Sequence, residues 1–512
     1  MSRIQRLNDW VMDVIDTIQP YLVEVAYFTF FLSRHMTLPL FQEYVQSEIY
    51  KQHGLNNTVV DHEEIYFPPE DENKPGPYYE AHKESILAVL GLQMAEGLPS
   101  VVTVIILGAL SDRSGKRKML LWVPAFGSLL YSLIYILILY TSWTIDGLFM
   151  ASALRGLSGS MTAFYAGGTF FAINSVEPEK RAWRLALQEF LNGAAYAIAN
   201  IMAGFWVKDW GFLQPFWFTV ICSAIAFLIS FFLVKEVKIP ENIQNTRNYT
   251  SENCCIDTFK PMGKFFRCTN RKMVKVWLAI LAFQTYAIVH IGQINTLVLY
   301  LRGPPYGWPT ARIGMFLSVI MAVAAIGTVS TPPVLKLILS DTSITFAGLF
   351  SKAIGTLWVA VVKNETVLYF SILLLVLELL PFPMLRSIVA NGIDTPDQGS
   401  LFALMHCGES ISYFLAPLMF QAMYAGTLHY FAGFVFVISV LFLILPVAFT
   451  IGIRYLDLNQ PSEYEPMDGD TEMTGGGGDQ SLESEQQPAL QDSIQQSEQQ
   501  PISIISATEQ RV

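Results

Sequence analysis

Gly108-Ala109-Leu110-Ser111-Asp112-Arg113-Ser114-Gly115-Lys116-Arg117-Lys118 separates two long apolar runs, Ile86–Leu107 and Met119–Tyr140. Each run is long enough to cross a bilayer, which takes about 20 residues of helix. The eleven-residue stretch must therefore turn the chain between two membrane spans. Gly108 and Gly115 let the helix end tightly and the backbone pack closely. Asp112 is placed to pair with a basic side chain or to cap a neighbouring helix. A merely basic loop would explain Arg113, Lys116, Arg117 and Lys118. It would not explain the Asp-Arg pair or the spaced glycines.

Composition carries the same message outward. Of 512 residues, 52% are hydrophobic and only 15% charged, which excludes an ordinary soluble globule and indicates a polytopic membrane protein. The first twenty residues carry Asp9, Asp13 and Asp16 and lack a basic segment followed by an apolar run. No cleaved signal peptide is expected from them. The net charge is −11, but twelve acids and only Arg511 among the bases lie from Asp457 onward. The body then holds 31 basic and 31 acidic residues, so the excess belongs to the tail and no nucleic-acid partner is expected. Cys222, Cys254, Cys255, Cys268 and Cys407 show no disulfide framework, since none lies in the long loop after the first span. Cys254 and Cys255 sit beside a basic juxtamembrane segment, which leaves both free thiols and lipidation open. No Walker loop, dinucleotide fingerprint or clustered metal-ligand set is present, so no enzyme, cofactor or metal is expected.

Twelve spans are read at about 22–41, 86–109, 119–140, 147–173, 185–206, 213–234, 274–300, 311–338, 343–362, 366–389, 400–424 and 430–454. The expected class is an all-α membrane protein of two six-helix bundles. The first bundle covers 1–234, with an outer loop at 41–83, and the second covers 274–456. A basic linker at 235–273 joins them, and a disordered acidic tail follows at 457–512. Lys and Arg concentrate in the loops at 112–118, 177–184 and 235–275, which places these loops and both termini in the cytosol. The acidic first loop then lies outside, where the Asn56 sequon is an expected glycosylation site. The Asn248 sequon falls on the cytosolic side and is expected empty; the Asn364 sequon hugs the membrane. Tyr464-Glu465-Pro466-Met467 fits a tyrosine-based sorting signal, read through Tyr464 and Met467 by trafficking adaptors. The loop pattern at 108–118 has only a remnant in the second half, at Ser340-Asp341.

Ionisable residues inside a span each need a reason, because insertion at mid-membrane costs about 2.5–3.5 kcal/mol. Arg155, Glu189, His290 and Arg386 are the functional candidates. Glu24, Glu96, Glu378, His406 and Glu409 are further intramembrane groups, and structural pairing is the preferred reading for all of these but Glu96. Carboxylates in a partly dry cavity hold protons more readily than in water, and histidine titrates near neutrality. Fixed arginines supply charge for an anionic solute. Together these suit a proton-coupled carrier of organic anions.

The loop pattern G-x-L-x-D-R-x-G-R-R resembles the cytoplasmic loop between helices 2 and 3 of the major facilitator superfamily, with Lys116 where Arg is usual. Arg155-Gly156-Leu157-Ser158-Gly159 resembles its fourth-helix pattern. Leu185 to Glu189, His290-Ile291-Gly292, Trp308 and the segment Arg386 to Phe402 are similar to solute carrier family 46, which includes the proton-coupled folate transporter. The resemblance covers the twelve spans and not the tail. It implies proton coupling through Glu189 and His290, substrate binding through Arg155 and Arg386, and gating through Gly108, Asp112, Arg113, Gly115, Lys116 and Arg117. Three departures count against folate itself. Ser160 stands in place of an aspartate, Asn295 in place of another, and Gly307 in place of a cysteine whose partner is also missing. The resemblance thus leaves folate-like uptake beside endolysosomal export of other solutes, such as peptidoglycan fragments or conjugated metabolites. A transporter-like receptor that moves nothing is the reading from another class.

Overall fold

The computed structural model describes residues 3–55, 77–141, 146–236, 271–302, 306–393, 398–427, 431 and 433–458. The chain runs α1 (Arg3–Gln52), α2 (Pro77–Ser114), α3 (Met119–Thr141), α4 (Asp146–Leu157), α5 (Ser160–Asn174), α6 (Arg181–Trp210) and α7 (Leu213–Leu228). It continues as α8 (Arg271–Arg302), α9 (Thr310–Leu335), α10 (Asp341–Val361), α11 (Glu365–Leu368), α12 (Ser371–Leu374), α13 (Pro381–Asn391), α14 (Gln398–Thr427), α15 (Phe434–Phe442) and α16 (Ile444–Leu458). Each of the twelve expected spans falls on one of these helices or on an interrupted run of them. Among the described residues, eight helices are long and apolar enough to cross a membrane. α1, which carries Glu24 and Arg34, and α6, which carries Arg184 and Glu189, fall outside those eight, as do the interrupted fourth and tenth spans.

Both interruptions are local and explicable. Between α4 and α5 the chain turns through Gly159 (φ 88°) and Ser160 (φ 47°), the one non-glycine residue with positive φ among those described. Such backbone needs support from its surroundings, and the Ser160 hydroxyl has it, donating to the Glu96 carboxylate. In the tenth span, residues 375–380 form turns between α12 and Pro381. Irregular backbone at membrane depth persists where protein covers it, and Ser351 donates to the Leu374 carbonyl at 2.5 Å while accepting from the Leu377 amide at 3.3 Å.

One apolar core lies within α1–α7 and a second mainly within α8–α16. Two smaller clusters bridge them: Val104, Leu107 and Leu120 with Ala403 and Cys407, and Ala182 with Ile344, Leu380 and Met384. Gly108 lies against Ala403 and Gly193 against Ala325, so small residues let the halves touch. Helix extends into the segment 41–83 expected as loop. Val45, Ile49 and Tyr50 of α1 and Ala81 of α2 are buried in the first core, which gives those turns something to pack on. At the other end, α16 reaches Leu458, and Asp457 pairs with Lys275 of α8 at 2.5 Å, so the fold ends later than the acidic tail was expected to begin. Asn56, Asn248, Cys254, Cys255, Cys268, Tyr464 and Met467 lie outside the described residues.

Candidate functional site

On the side of the 108–118 loop, the two halves are latched together. Asp112 of α2 accepts from the amide and hydroxyl of Ser400, at the start of α14. A helix N-terminus presents unsatisfied amides and partial positive charge, so a carboxylate belongs there. Asp112 also pairs with the buried Arg117, whose guanidinium lies 4.8 Å from the Phe170 ring. Gly399 leaves no room for a side chain beside that pair. Arg181 donates to Asn391 Oδ1 at 2.9 Å, Asn174 to Gln398 Oε1 at 3.3 Å, and Lys336 to the Glu179 carbonyl at 3.4 Å. Within the first half, Glu236 accepts from the amides of Arg117 and Lys118, which caps α3. Burial pushes the Glu236 carboxyl above the usual carboxylate range, against the pull of those hydrogen bonds. Gly115, at φ 69°, closes the turn. Arg113 and Lys116 are exposed beside the latch. The Ser340-Asp341 remnant keeps a related local job: Ser340 caps α10 and Asp341 pairs with Lys336 at 2.9 Å.

Away from that latch, a cavity of about 200 Å³ opens between the halves. Its walls are largely apolar and aromatic, including Leu38, Phe41, Met161, Ile294, Met321 and Tyr413. Its polar lining includes Arg34 and Ser160, both in contact with Glu96, together with Ser152, Asn192, His290 and Asn295. This is the usual make-up of a small-molecule site.

Three charged clusters surround the cavity. In the first, Glu96 lies 3.3 Å from Arg34 and 3.6 Å from Arg155, and Arg155 stacks 4.5 Å from the Tyr131 ring centre. In the second, Arg386 of α13 pairs directly with Glu189 of α6, joining the two halves. The Arg386 guanidinium sits 5.2 Å from both the Tyr165 and Phe283 rings, and His406 with Glu409 (2.6 Å) completes this group. In the third, Lys352 is 2.7 Å from Glu378 and 3.5 Å from His290 Nδ1.

The expected residues thus separate by role. His290 lines the cavity, whereas Glu189 and Arg386, at 2% and 1% exposure, lie outside its walls. Asn192 and Gly193, the next residues but two along α6, do line it, so the Glu189–Arg386 pair lies between cavity and latch. Arg155 stands behind Glu96, Tyr131 and Ser152 rather than in the wall. Glu24 pairs with Arg184 at 2.6 Å, Glu378 with Lys352 and Glu409 with His406, the structural pairings expected of them. Arg34 and Lys352 were not singled out by sequence. Both are basic residues within apolar helices, and the same criterion that flagged Arg155 reaches them.

The sequence profile of the Major Facilitator Superfamily matches residues 24–417. The chain belongs to this superfamily. Among curated proteins, it is 24% identical over 433 residues to the lysosomal proton-coupled steroid conjugate and bile acid symporter of Gallus gallus, covering 83% of this chain and 92% of that one. It is 25% identical over 351 residues to the proton-coupled folate transporter of Rattus norvegicus, covering 68% of this chain and 74% of the relative. The family 46 resemblance therefore holds over most of the chain. Its relatives are transporters, not enzymes. Among solved structures, the human organic anion transporter MFSD10 superposes with a TM-score of 0.65 at 15% identity, covering 84% of this chain and 98% of that one. A bacterial ferroportin homologue in an outward-facing state gives 0.58 at 14% identity, covering 85% and 99%. These likenesses establish the fold. Membership in the superfamily makes the chain a multi-pass membrane transporter.

Proposed function

We propose that this superfamily member is a proton-coupled symporter of amphipathic organic anions. The observation that carries the reading is the Glu189–Arg386 pair, which joins the two halves beneath a cavity with largely apolar walls and an arginine in its lining. A proton on Glu189 ends the ion pair that joins the halves and leaves Arg386 to be compensated by the solute's anion, so the buried charge stays balanced only when proton and solute are both aboard. Reorientation is then easy only with the proton aboard, which links proton and solute flux. His290 stands on the cavity wall and is the second proton-handling candidate; Arg155 and Arg386 are the expected anion-binding positions.

With the loop-motif side in the cytosol, the latch at Asp112–Ser400 closes the inner face and the cavity faces the lumen or exterior. That is the state in which an acidic compartment loads proton and solute. The steroid-conjugate relative is named as lysosomal, and apolar walls beside a charged cluster suit a conjugated metabolite. Folate uptake at the plasma membrane is the second reading, supported by the folate-transporter relative and weakened by Ser160, Asn295 and Gly307. Gly307 has φ 58°, a conformation a cysteine adopts only under strain.

The test is uptake into proteoliposomes driven by a proton gradient, with taurocholate, a sulfated steroid, a muropeptide and folate offered separately. Accumulation of an acid that collapses with the gradient supports the proposal. Accumulation that ignores the gradient overturns coupling, and accumulation of folate alone selects the second reading. Binding without any flux would favour the receptor.

A further inference from the structure

The Arg34–Glu96–Arg155 cluster has a charge arrangement that the coupling pair does not explain. Two guanidinium groups face one carboxylate, leaving a net positive charge at the cavity wall. Arg34, the Ser160 hydroxyl and the neighbouring Arg155 all approach one carboxylate oxygen, Oε1, the arginines at 3.3 and 3.6 Å. The guanidinium groups keep unused donors. Arg34 Nη1 and Arg155 Nε and Nη1 are buried and have no hydrogen-bond partner among the described residues. Unused guanidinium donors in a low-dielectric setting are costly unless an anion arrives to take them. Arg34 and Glu96 are both on the cavity wall, and Arg155, 1% exposed, braces the group from behind against Tyr131. The strained backbone at Ser160 aims a hydroxyl at Glu96 and so holds that carboxylate in the arginines' reach.

We infer that Arg34 is the anchor for the substrate's carboxylate or sulfonate, and that Glu96 is a resident counter-anion which the substrate displaces from it. This rests on the anion-carrier reading above and names its docking point. Glu96 serves two ends. It keeps the arginines compensated when the cavity is empty, and it competes for them, which limits affinity and permits release. A carrier needs both, since an anion bound to two uncompensated arginines would leave slowly.

Binding to purified full-length protein distinguishes this from a structural ion pair. The probes are taurocholate and its uncharged counterpart cholamide. Arg34→Gln should weaken taurocholate by about tenfold or more and leave cholamide unchanged, and Arg34→Lys should recover part of the loss. Glu96→Gln should tighten taurocholate and slow its release. Equal effects on both probes, or weakened taurocholate binding in Glu96→Gln, would overturn the assignment. Should the unmodified protein bind neither probe, the anion-carrier reading loses its support, yet the site is still readable. Gln93 lines the cavity one turn from Glu96. Gln93→Cys should react faster with a negatively charged methanethiosulfonate than with a positively charged one, each relative to its rate on a free thiol. Arg34→Gln should abolish that preference and Glu96→Gln should raise it. A charge preference indifferent to both changes refutes a net-positive subsite.

Discussion

Glu189 and Lys352 show how differently two buried charges behave. Glu189 binds a partner from the other half of the molecule, so its protonation state bears on whether the halves separate. Glu189→Gln mimics the protonated form permanently. It should abolish uphill transport driven by a pH gradient while preserving solute exchange, which needs no net proton movement. Counterflow and concentrative uptake, compared at equal surface abundance, decide this; a variant that still concentrates substrate passes the role to His290. Lys352 and Glu378 instead lie within one half, 3% and 1% exposed, and hold the irregular segment 375–380 to α10. Lys352→Met leaves Glu378 without its cation and should cost about 3–5 kcal/mol, the usual penalty for breaking a buried pair. Lys352→Met with Glu378→Gln together should recover most of it. Thermal unfolding of the single and double variants in detergent measures both; additive losses would mean that the two side chains are not coupled.

At the level of elements, the end of α2 and the start of α14 form the contact that closes the loop side, and gating is the role proposed for it. The Asp112 carboxylate sits on an N-terminus from the other half, and hydrogen bonds to a charged group are worth about 1.5–3 kcal/mol each. Their loss shifts a two-state equilibrium by a factor of ten for every 1.4 kcal/mol or so. Asp112→Ala should thus open the loop side, raising alkylation of a cysteine placed at Asn174, and lower the maximal rate more than the apparent affinity. A change in affinity alone would move Asp112 from gating to binding. Gly399→Ala should act the same way, because its methyl group would displace the Asp112–Arg117 pair. Matching phenotypes from α2 and α14 would identify the latch as one unit.

For the whole molecule, the boundary of the folded body sets what can be removed. Asp457 belongs to it through Lys275, so a clean truncation keeps Leu458 and removes 459–512. That truncation should leave uptake per surface molecule unchanged and alter the distribution between surface and internal membranes, as Tyr464→Ala should on its own. A loss of turnover would give the tail a role in transport. Asn56 lies between α1 and α2, and peptide-N-glycosidase should shift the protein's mobility on a gel, with Asn56→Gln removing the shift. An unshifted band from native membranes, or a shift that survives Asn56→Gln, would count against the site.

The fold class was legible in the chain because membrane insertion is a local constraint. Each span must satisfy its own backbone and be apolar along its length, so composition, twelve apolar runs and the turn at 108–118 suffice to set the architecture. The same reasoning made Glu189, His290 and Arg386 conspicuous, since a charge in an apolar run is costly wherever its partner lies. Partnership was not legible. Glu189 and Arg386 are 197 positions apart, Asp112 and Ser400 are 288 apart, and no period or spacing links them. The tertiary structure alone decided that Arg386 pairs with Glu189 outside the cavity wall, that Arg34 and not Arg155 lines the wall beside Glu96, and that a glycine at 399 makes room for the latch. Those outcomes depend on which helix faces meet, and packing between distant segments fixes that.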